Sequence, residues 1–554
     1  MADRLTSEQV SGRLVWTLSL AYAGEVYRWS SEPFAVVDAD GRTLAFDGGL
    51  NPIEFEDIFA GADGEADDVS IPFELIFPVD VALLEARGHS LSSATAEVAI
   101  YAAGGAWEDR RVVIANGRIV EPYFGGVDEP IGFSVEALPY TDKNSIVPAG
   151  ARFDETKFSP FTSGSKSYAY NDDDRSEVLG LYYPVVFGTP GWRKRAPVEA
   201  TTSGSQGQIV WWSISATTFT AEHNYILIAG HHVGASTVKV VWSNSNTDGV
   251  AVINTTDNAG NKVALCFLGD DTAADSIGDA DEYWIIWDDV GGGLQKTDGA
   301  GCLELAGDVC EYFLALSSLD VDRGAWAAAR PYLNRYRLAG YIDEPVTPWE
   351  WLSDNVFPLL PIDIRSGPNG LYPVVWRIDA RANECVGAPL VEGRNVTRLG
   401  PVTESSAESI VNDVRIDYSL RVRTGKYKDI IQVNGNPTTG SNERLNLFAA
   451  LSEQLYGRQS TTIQTDVLYD EPTAGLIAGW ILAAKAFPTR KVKYEAGAEL
   501  GYLAPGDPVL LTDESLHIAD RVALVHSIAW ESEEALTITL WLHENPPRDD
   551  AATT

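Results

Sequence analysis

Four groups of side chains in this sequence have types and spacings that invite chemistry. Ser163-Gly-Ser-Lys166 fits S-x-x-K, the pattern in which a lysine assists a serine nucleophile in acyl transfer. It stands in a Ser/Gly-rich stretch without a complete set of partner motifs, so it reads as linker. His231-His232 is the one histidine cluster among seven histidines. Adjacent residues on a strand point to opposite faces, which argues against one shared metal ion. The acidic runs Asp172-Asp-Asp174 and Asp270-Asp271 with Asp275, Asp279 and Asp281 raise calcium. Neither matches the spacing of a calcium loop, and 79 acidic residues make chance clusters common. Trp211-Trp212 with Trp242, Trp284 and Trp287 are of the type that stacks on sugar rings. Neighbouring tryptophans on a strand face opposite ways, however, so core packing is the favoured reading.

The remaining signatures of catalysis are missing. There is no phosphate-binding G-x-x-x-x-G-K-[ST], no dinucleotide fingerprint, no H-E-x-x-H and no G-x-S-x-G. A pair of carboxylates for glycoside hydrolysis is a spatial property that spacing alone does not reveal. The expectation is no catalytic, cofactor-binding or metal-ligating residues, and no enzyme. The four cysteines, Cys266, Cys302, Cys310 and Cys385, show no C-x-x-C spacing. Cys302 and Cys310 could meet across a hairpin, but reduced, packed thiols are expected.

The elements that position these residues are mostly strands. Arg13–Leu20 and Ala94–Tyr101 alternate partly between apolar and polar residues. Asp38-Ala-Asp40-Gly41 marks a turn, and Asn116-Gly117 predicts a hairpin between 111–115 and 118–123. Residues 201–301 are rich in Ser, Thr, Gly and Asp with short apolar strands, which suggests an inserted, separable all-β module. The period then changes to three and four: Ala325, Trp326, Ala329, Tyr332, Leu333 and Tyr336 share a helical face, with Pro331 expected to kink or end it. Pro348 opens a second short helix. Ser441 caps a third, which turns Leu445, Phe448, Leu451 and Leu455 to a core. Pro472 opens a fourth, bearing Leu476, Ile477, Trp480, Ile481 and Ala484, expected to lie on the strands that follow it. No internal repeat is visible.

With 554 residues, 45% hydrophobic, the chain is long enough for several domains with real cores. Its 41 basic and 79 acidic residues leave a net charge of −38. Such a surface repels phosphate, which excludes a non-specific DNA coat and disfavours an anionic membrane. The opening MADRLTSEQV lacks the apolar core of a secretion signal, so synthesis in a cytoplasm is expected.

Several segments together say more. Leu181–Thr189 reads LYYPVVFGT and Tyr225–Val241 reads YILIAGHHVGASTVKVV. The stretch 320–360 carries a helix pair ending in Leu-Leu-Pro, Asn412–Val414 opens a strand, and 475–512 is a helix, a strand and a Pro-Gly-Asp turn. In this order they resemble the tail hub (baseplate hub) proteins of long-tailed bacteriophages and gene transfer agents, with the insert as the main departure. The resemblance implies a homotrimer whose two tube-like β domains per chain present six similar domains. That ring adapts a sixfold tail tube to a threefold tail tip and lets DNA pass without sequence-specific binding. It implies a virion location at the tail tip, with distal tail proteins, tail-tip fibres or receptor-binding proteins, and a host-surface glycan as candidate partners. Alternative functions are a tail-tip cell-wall or glycan hydrolase, or a carbohydrate-binding receptor-recognition protein.

The fold class expected is multi-domain and mainly β with α+β parts. The expected divisions are an N-terminal tube-like β domain (1–140), an arm and the start of a middle domain (141–200), an inserted β module (201–301), a middle α+β domain (302–405) and a C-terminal α+β tube-like domain (406–554).

Overall fold

The computed structural model describes residues 13–51, 55–58, 70–76, 87–104, 106–124, 130–137, 142–148, 150–152, 162–163, 166–167, 180–190, 208–211, 224–242, 247–257, 259–267, 283–287, 292–296, 301–367, 369–421, 426–436, 443–530 and 535–544. The fold is mainly β, in several sheets.

The N-terminal strands are β1 (Leu14–Tyr22), β2 (Glu25–Ser30), β3 (Phe34–Val37), β4 (Thr43–Gly48), β5 (Leu50–Asn51), β6 (Phe55–Ile58), β7 (Ser70–Leu75), β8 (Thr95–Ala102), β9 (Arg111–Phe124) and β10 (Ile131–Ala137), with the short helix α1 (Trp107–Arg110) before β9. All but β6 form one sheet in the order β3-β4-β2-β1-β8-β9-β10-β7-β5. The turn at Asp38–Gly41 is present: the Arg42 N–H donates to Asp38 Oδ1 at 2.7 Å, and Gly41 adopts φ +78°. The hairpin at Asn116-Gly117 is not. Strand β9 runs straight through it, with Asn116 opposite Glu97 and Gly117 opposite both Ala96 and Ala137. Neighbours on both sides hold this dipeptide extended, and that continuous pairing overrides a local turn preference.

The chain continues through β11 (Thr162–Ser163), β12 (Lys166–Ser167) and β13 (Val185–Phe187) into β14 (Gln208–Trp211), β15 (Asn224–Ala229), β16 (Thr237–Trp242), β17 (Thr247–Thr256), β18 (Lys262–Phe267) and β19 (Tyr283–Trp287). The last six strands make a sheet of their own. Their core of Ile228, Val238, Ile285 and Trp287 also includes Val186 of β13. The module is therefore fused to the framework. Leu294 N–H donates to Val186 O at 2.8 Å, Gly293 N–H to Gly188 O at 2.7 Å, and Gly188 N–H to Leu303 O at 2.7 Å.

Helices α2 (Ala306–Leu316), α3 (Arg323–Leu333) and α4 (Pro348–Asn355) follow, with β20 (Gly340–Ile342) between the last two. Pro331 does not stop α3, which ends at Leu333 within the turn that holds the proline. Thr347 caps α4 through the Glu350 N–H at 3.2 Å, with Pro348 at its first turn. Then come β21 (Ile362–Gly367), β22 (Gly370–Val375), β23 (Leu390–Val391), β24 (Val396–Glu404), β25 (Asp413–Arg421), β26 (Lys426–Val433), helix α5 (Glu443–Tyr456), β27 (Ser460–Gln464), helix α6 (Glu471–Lys485), β28 (Arg490–Gly497), β29 (Pro508–Asp513), β30 (Ile518–Trp530) and β31 (Ala535–Leu542).

Two large cores result. The first lies between the N-terminal sheet and the sheet β23-β29-β30-β31-β28-β24, and joins Leu18, Val98 and Phe133 to Tyr494, Val525 and Ile538. Strand β6, from the N-terminal segment, pairs with β30 of the C-terminal sheet, Ile58 opposite Ser527. The second core combines α2–α4 with α5, α6 and β25–β26. Residues 406–554 thus contribute to both. Helix α6 packs on β25 and β26, which precede it, and not chiefly on the strands that follow. Trp480 is half-buried, its ring edge-on to Trp376 at 5.3 Å and its Nε1–H donating to Leu359 O at 3.1 Å.

Candidate functional site

The residues singled out in the sequence do not converge. Ser163 of β11 and Lys166 of β12 are register partners in a two-stranded pair; their side chains, like Asp172–Asp174 and the cluster Asp270, Asp271, Asp275, Asp279 and Asp281, lie outside the described residues. The side chains of Trp211, Trp212, Trp242 and Trp284 lie outside them too. Trp287 is fully buried and offers no platform to a sugar. The four cysteines are free thiols.

The two histidines serve the backbone. His231 Nε2 accepts the Val186 N–H at 3.0 Å, so its Nδ1 carries the proton and donates to His232 O at 3.0 Å. His232 Nε2 donates to Thr255 O at 2.9 Å. Burial lowers the pKa of His231 to about 4 from an ordinary 6.5, with the charge of His232 adding to it. The neutral ring is a clasp between β13 and the insert. A second clasp lies nearby: Asp257 Oδ2 accepts the Tyr183 O–H at 3.0 Å, and Asp257 Oδ1 accepts N–H groups of Ala259 and Asn261. Neither clasp was legible as chemistry, because each depends on a partner far along the chain.

Sequence reading also missed three enclosed carboxylates. Asp513 is fully buried and accepts from Tyr494 O–H at 3.0 Å and Ser515 Oγ–H at 2.5 Å, with Arg398 Nη1 at 3.5 Å. Burial pushes its pKa up, but the Ser515 and Tyr494 bonds and the Arg398 charge outweigh that and hold it below the usual carboxylate range. Asp413 and Asp417 share the outward face of β25. Asp413 accepts from Ser460, Gln432 and Arg458; Asp417 accepts from Arg415 and Gln464. Four residues of extended strand separate them, roughly 13 Å at ~3.3 Å per residue. That exceeds the ~5–9.5 Å of a glycosidase pair. All three carboxylates are filled with protein donors. Among the described residues no group of three or more His, Cys, Asp or Glu is placed to hold a metal ion.

Among the described residues two surfaces stand out. A groove of about 260 Å³ crosses the outer face of the N-terminal sheet, floored by Ser19, Ala21 and Thr95 and walled by Arg28, Leu44 and Trp107. Arg111 lies over Trp107 at 5.1 Å and pairs with Glu97. The other surface is helix α5. Phe448 is buried as expected, but Leu451 and Leu455 are not: with Leu447 they form an exposed apolar line, 52%, 67% and 63% exposed respectively. The helix has apolar residues on more than one face, and among the described residues the covered face is the one toward α6 and β26. The Ser441 cap lies outside the described residues.

No model of a known protein family matches the chain, and no curated protein does. Among solved structures it is similar to the tail protein from Neisseria meningitidis MC58, at 11% identity and TM-score 0.36 over 96% of each chain. It is also similar to the 43 kDa tail protein of prophage MuSo2 from Shewanella oneidensis, at 10% identity and TM-score 0.33 over 95% of this chain and 98% of that one. A chain of a native gene transfer agent virion gives 11% identity and TM-score 0.38 over 71% of this chain and 91% of that one. Similarity of this degree does not assign a family.

Proposed function

We propose that the chain is a structural, non-enzymatic component of the tail of a phage or gene transfer agent. Within that tail we read it as the hub, three copies ringing the distal end of the tube. The ordered segments from Leu181 to Thr512 that resemble tail hub proteins support this reading. The observation that carries it is the joint core of the two β-sheets. One chain offers two mostly antiparallel walls, and β6 paired on β30 fixes them to each other. A ring that holds a channel open needs such fixed walls. Three copies would present six of them, matching a sixfold tube with threefold symmetry.

The net charge of −38 suits the same role. DNA must slide past the ring, and a lumen without excess cations does not retain phosphate. Mass photometry of the purified chain and cryo-microscopy of the tail test the reading. Three copies in a ring at the tail tip are expected; six copies, or an isolated monomer in the virion, would overturn it. Zymography on bacterial cell walls tests the absence of activity, and a lysis band would replace the structural role with that of a hydrolase.

A further inference from the structure

The outer face of the N-terminal sheet is covered over part of its length only. On β8, Tyr101 packs beneath Phe34 at 5.3 Å and Trp107 at 5.4 Å between ring centroids. The next residues on that face, Ala99 and its register partner Thr17, are also enclosed. Side chains on one face of a strand recur every second residue. Ser19 and Glu97 follow half-buried, and Ala21 and Thr95 lie exposed. The cover therefore ends in a step. The groove of about 260 Å³ runs along its foot, with Leu44 and Trp107 as the wall.

Strand register sets Arg28, Ser19, Glu97 and Asn116 side by side across β2, β1, β8 and β9. Glu97 is taken by Arg111, which also lies over Trp107. Arg28 is half-buried and has no ion pair or hydrogen bond among the described residues. One guanidinium is thus left unmatched in a chain of net charge −38. Its planar fork fits a carboxylate through two parallel hydrogen bonds. The side chains of Ser19, Thr95 and Asn116 are likewise without hydrogen-bond partners among the described residues. They give the floor hydroxyl and amide groups suited to the hydroxyls of a sugar ring. An acidic side chain of a protein would satisfy Arg28 alone and leave these groups unmatched. A doubly charged phosphate would meet the Glu97 carboxylate one strand beyond Ser19. The volume lies below the ~300–1,000 Å³ of drug-sized pockets, which suits a single ring.

We propose that this groove binds a sugar ring carrying one carboxylate, with Arg28 on the carboxylate and Ser19, Thr95 and Asn116 on the ring hydroxyls. The site goes beyond the hub reading and stands without it. Saturation-transfer NMR and calorimetry on the full-length chain test it, with sodium glucuronate, glucose and inorganic phosphate as probes. The proteins are the wild type, Arg28→Ala and Ser19→Leu, each checked by far-UV circular dichroism and melting. The wild type is expected to bind glucuronate in the millimolar range and glucose about tenfold more weakly or worse. Arg28→Ala should weaken glucuronate about tenfold and remove the preference over glucose. Ser19→Leu, which fills the floor, should weaken both sugars. If Arg28→Ala melts early, the contrast between glucuronate and glucose on the wild type still decides the matter. A wild type that binds no glucuronate, or a folded Arg28→Ala that binds it unchanged, would overturn the site. Equal binding of glucose would overturn the role of the carboxylate. Phosphate binding as tight as glucuronate would overturn the sugar and leave a plain anion site.

Discussion

Trp16 and Trp530 meet edge to face, ring centroids 6.2 Å apart at 87°, although they lie near opposite ends of the chain. Both are buried, one on β1 and the other on β30. Their contact lies in the core that the two sheets share. Trp530→Ala is therefore expected to destabilise both sheets together, by about 3–5 kcal/mol for a buried tryptophan. Urea unfolding followed by circular dichroism and fluorescence should show one transition at lower urea. Two separate transitions, with only one displaced, would mean that the sheets are energetically independent.

Trp480 gives a smaller expected loss. It bridges α6 to Trp376 and to the carbonyl of Leu359, but remains half-buried. Trp480→Ala should cost about 2–3 kcal/mol, below the range of a fully buried aromatic. Thermal melting measures it. A melting temperature equal to that of the wild type would mean that neither contact contributes.

Removal of the insert is expected to fail. Deleting 204–299 takes away Leu294, whose N–H holds Val186 O and whose carbonyl holds the Leu303 N–H at 2.7 Å. It also uncovers Val186, which is fully buried. A buried amide and carbonyl left without partners cost about 1–3 kcal/mol each. The deleted chain should be recovered mainly as aggregate. Soluble protein that melts like the wild type would show that the insert is separable, as its composition suggests.

His231 makes stability depend on pH in a defined direction. Its pKa is about 4 in the folded chain against an ordinary 6.5. Between these values the unfolded chain binds a proton that the folded chain refuses. Stability therefore falls as pH drops from about 6.5 to 4, by at most about 3.4 kcal/mol, and is level with respect to this group above that window. Carboxylates titrate in the same range, so the readout is the difference between wild type and His231→Gln in melts at pH 4.5, 5.5 and 7. The wild type should lose more on acidification. Parallel curves would mean that His231 is accessible to protons in the fold.

Part of the candidate site was legible in the sequence and part was not, and the division follows the range of the interactions. The leucines of α5 were visible as an apolar set. Which of them stays outside depends on α6 and β26, which cover only the Phe448 side. Asp413, Asp417 and Asp513 look like any other acidic residue in a chain with 79 of them. Their enclosure needs Arg458, Gln464 and Tyr494, brought from elsewhere in the chain.

The sequence by itself determined the local elements. Thr347 and Pro348 start α4, Asp470 and Pro472 start α6, and Asp38 to Gly41 turn the chain between β3 and β4, because caps and turns are set by side chains a few residues apart. Only the tertiary structure decided that β6 leaves the sheet of its neighbours for β30, and that Asn116-Gly117 lies within a strand. It also decided that the insert is clasped to β13 through His231. Strand pairing and burial are contacts between distant residues, and their free energy depends on which partners the whole chain brings alongside.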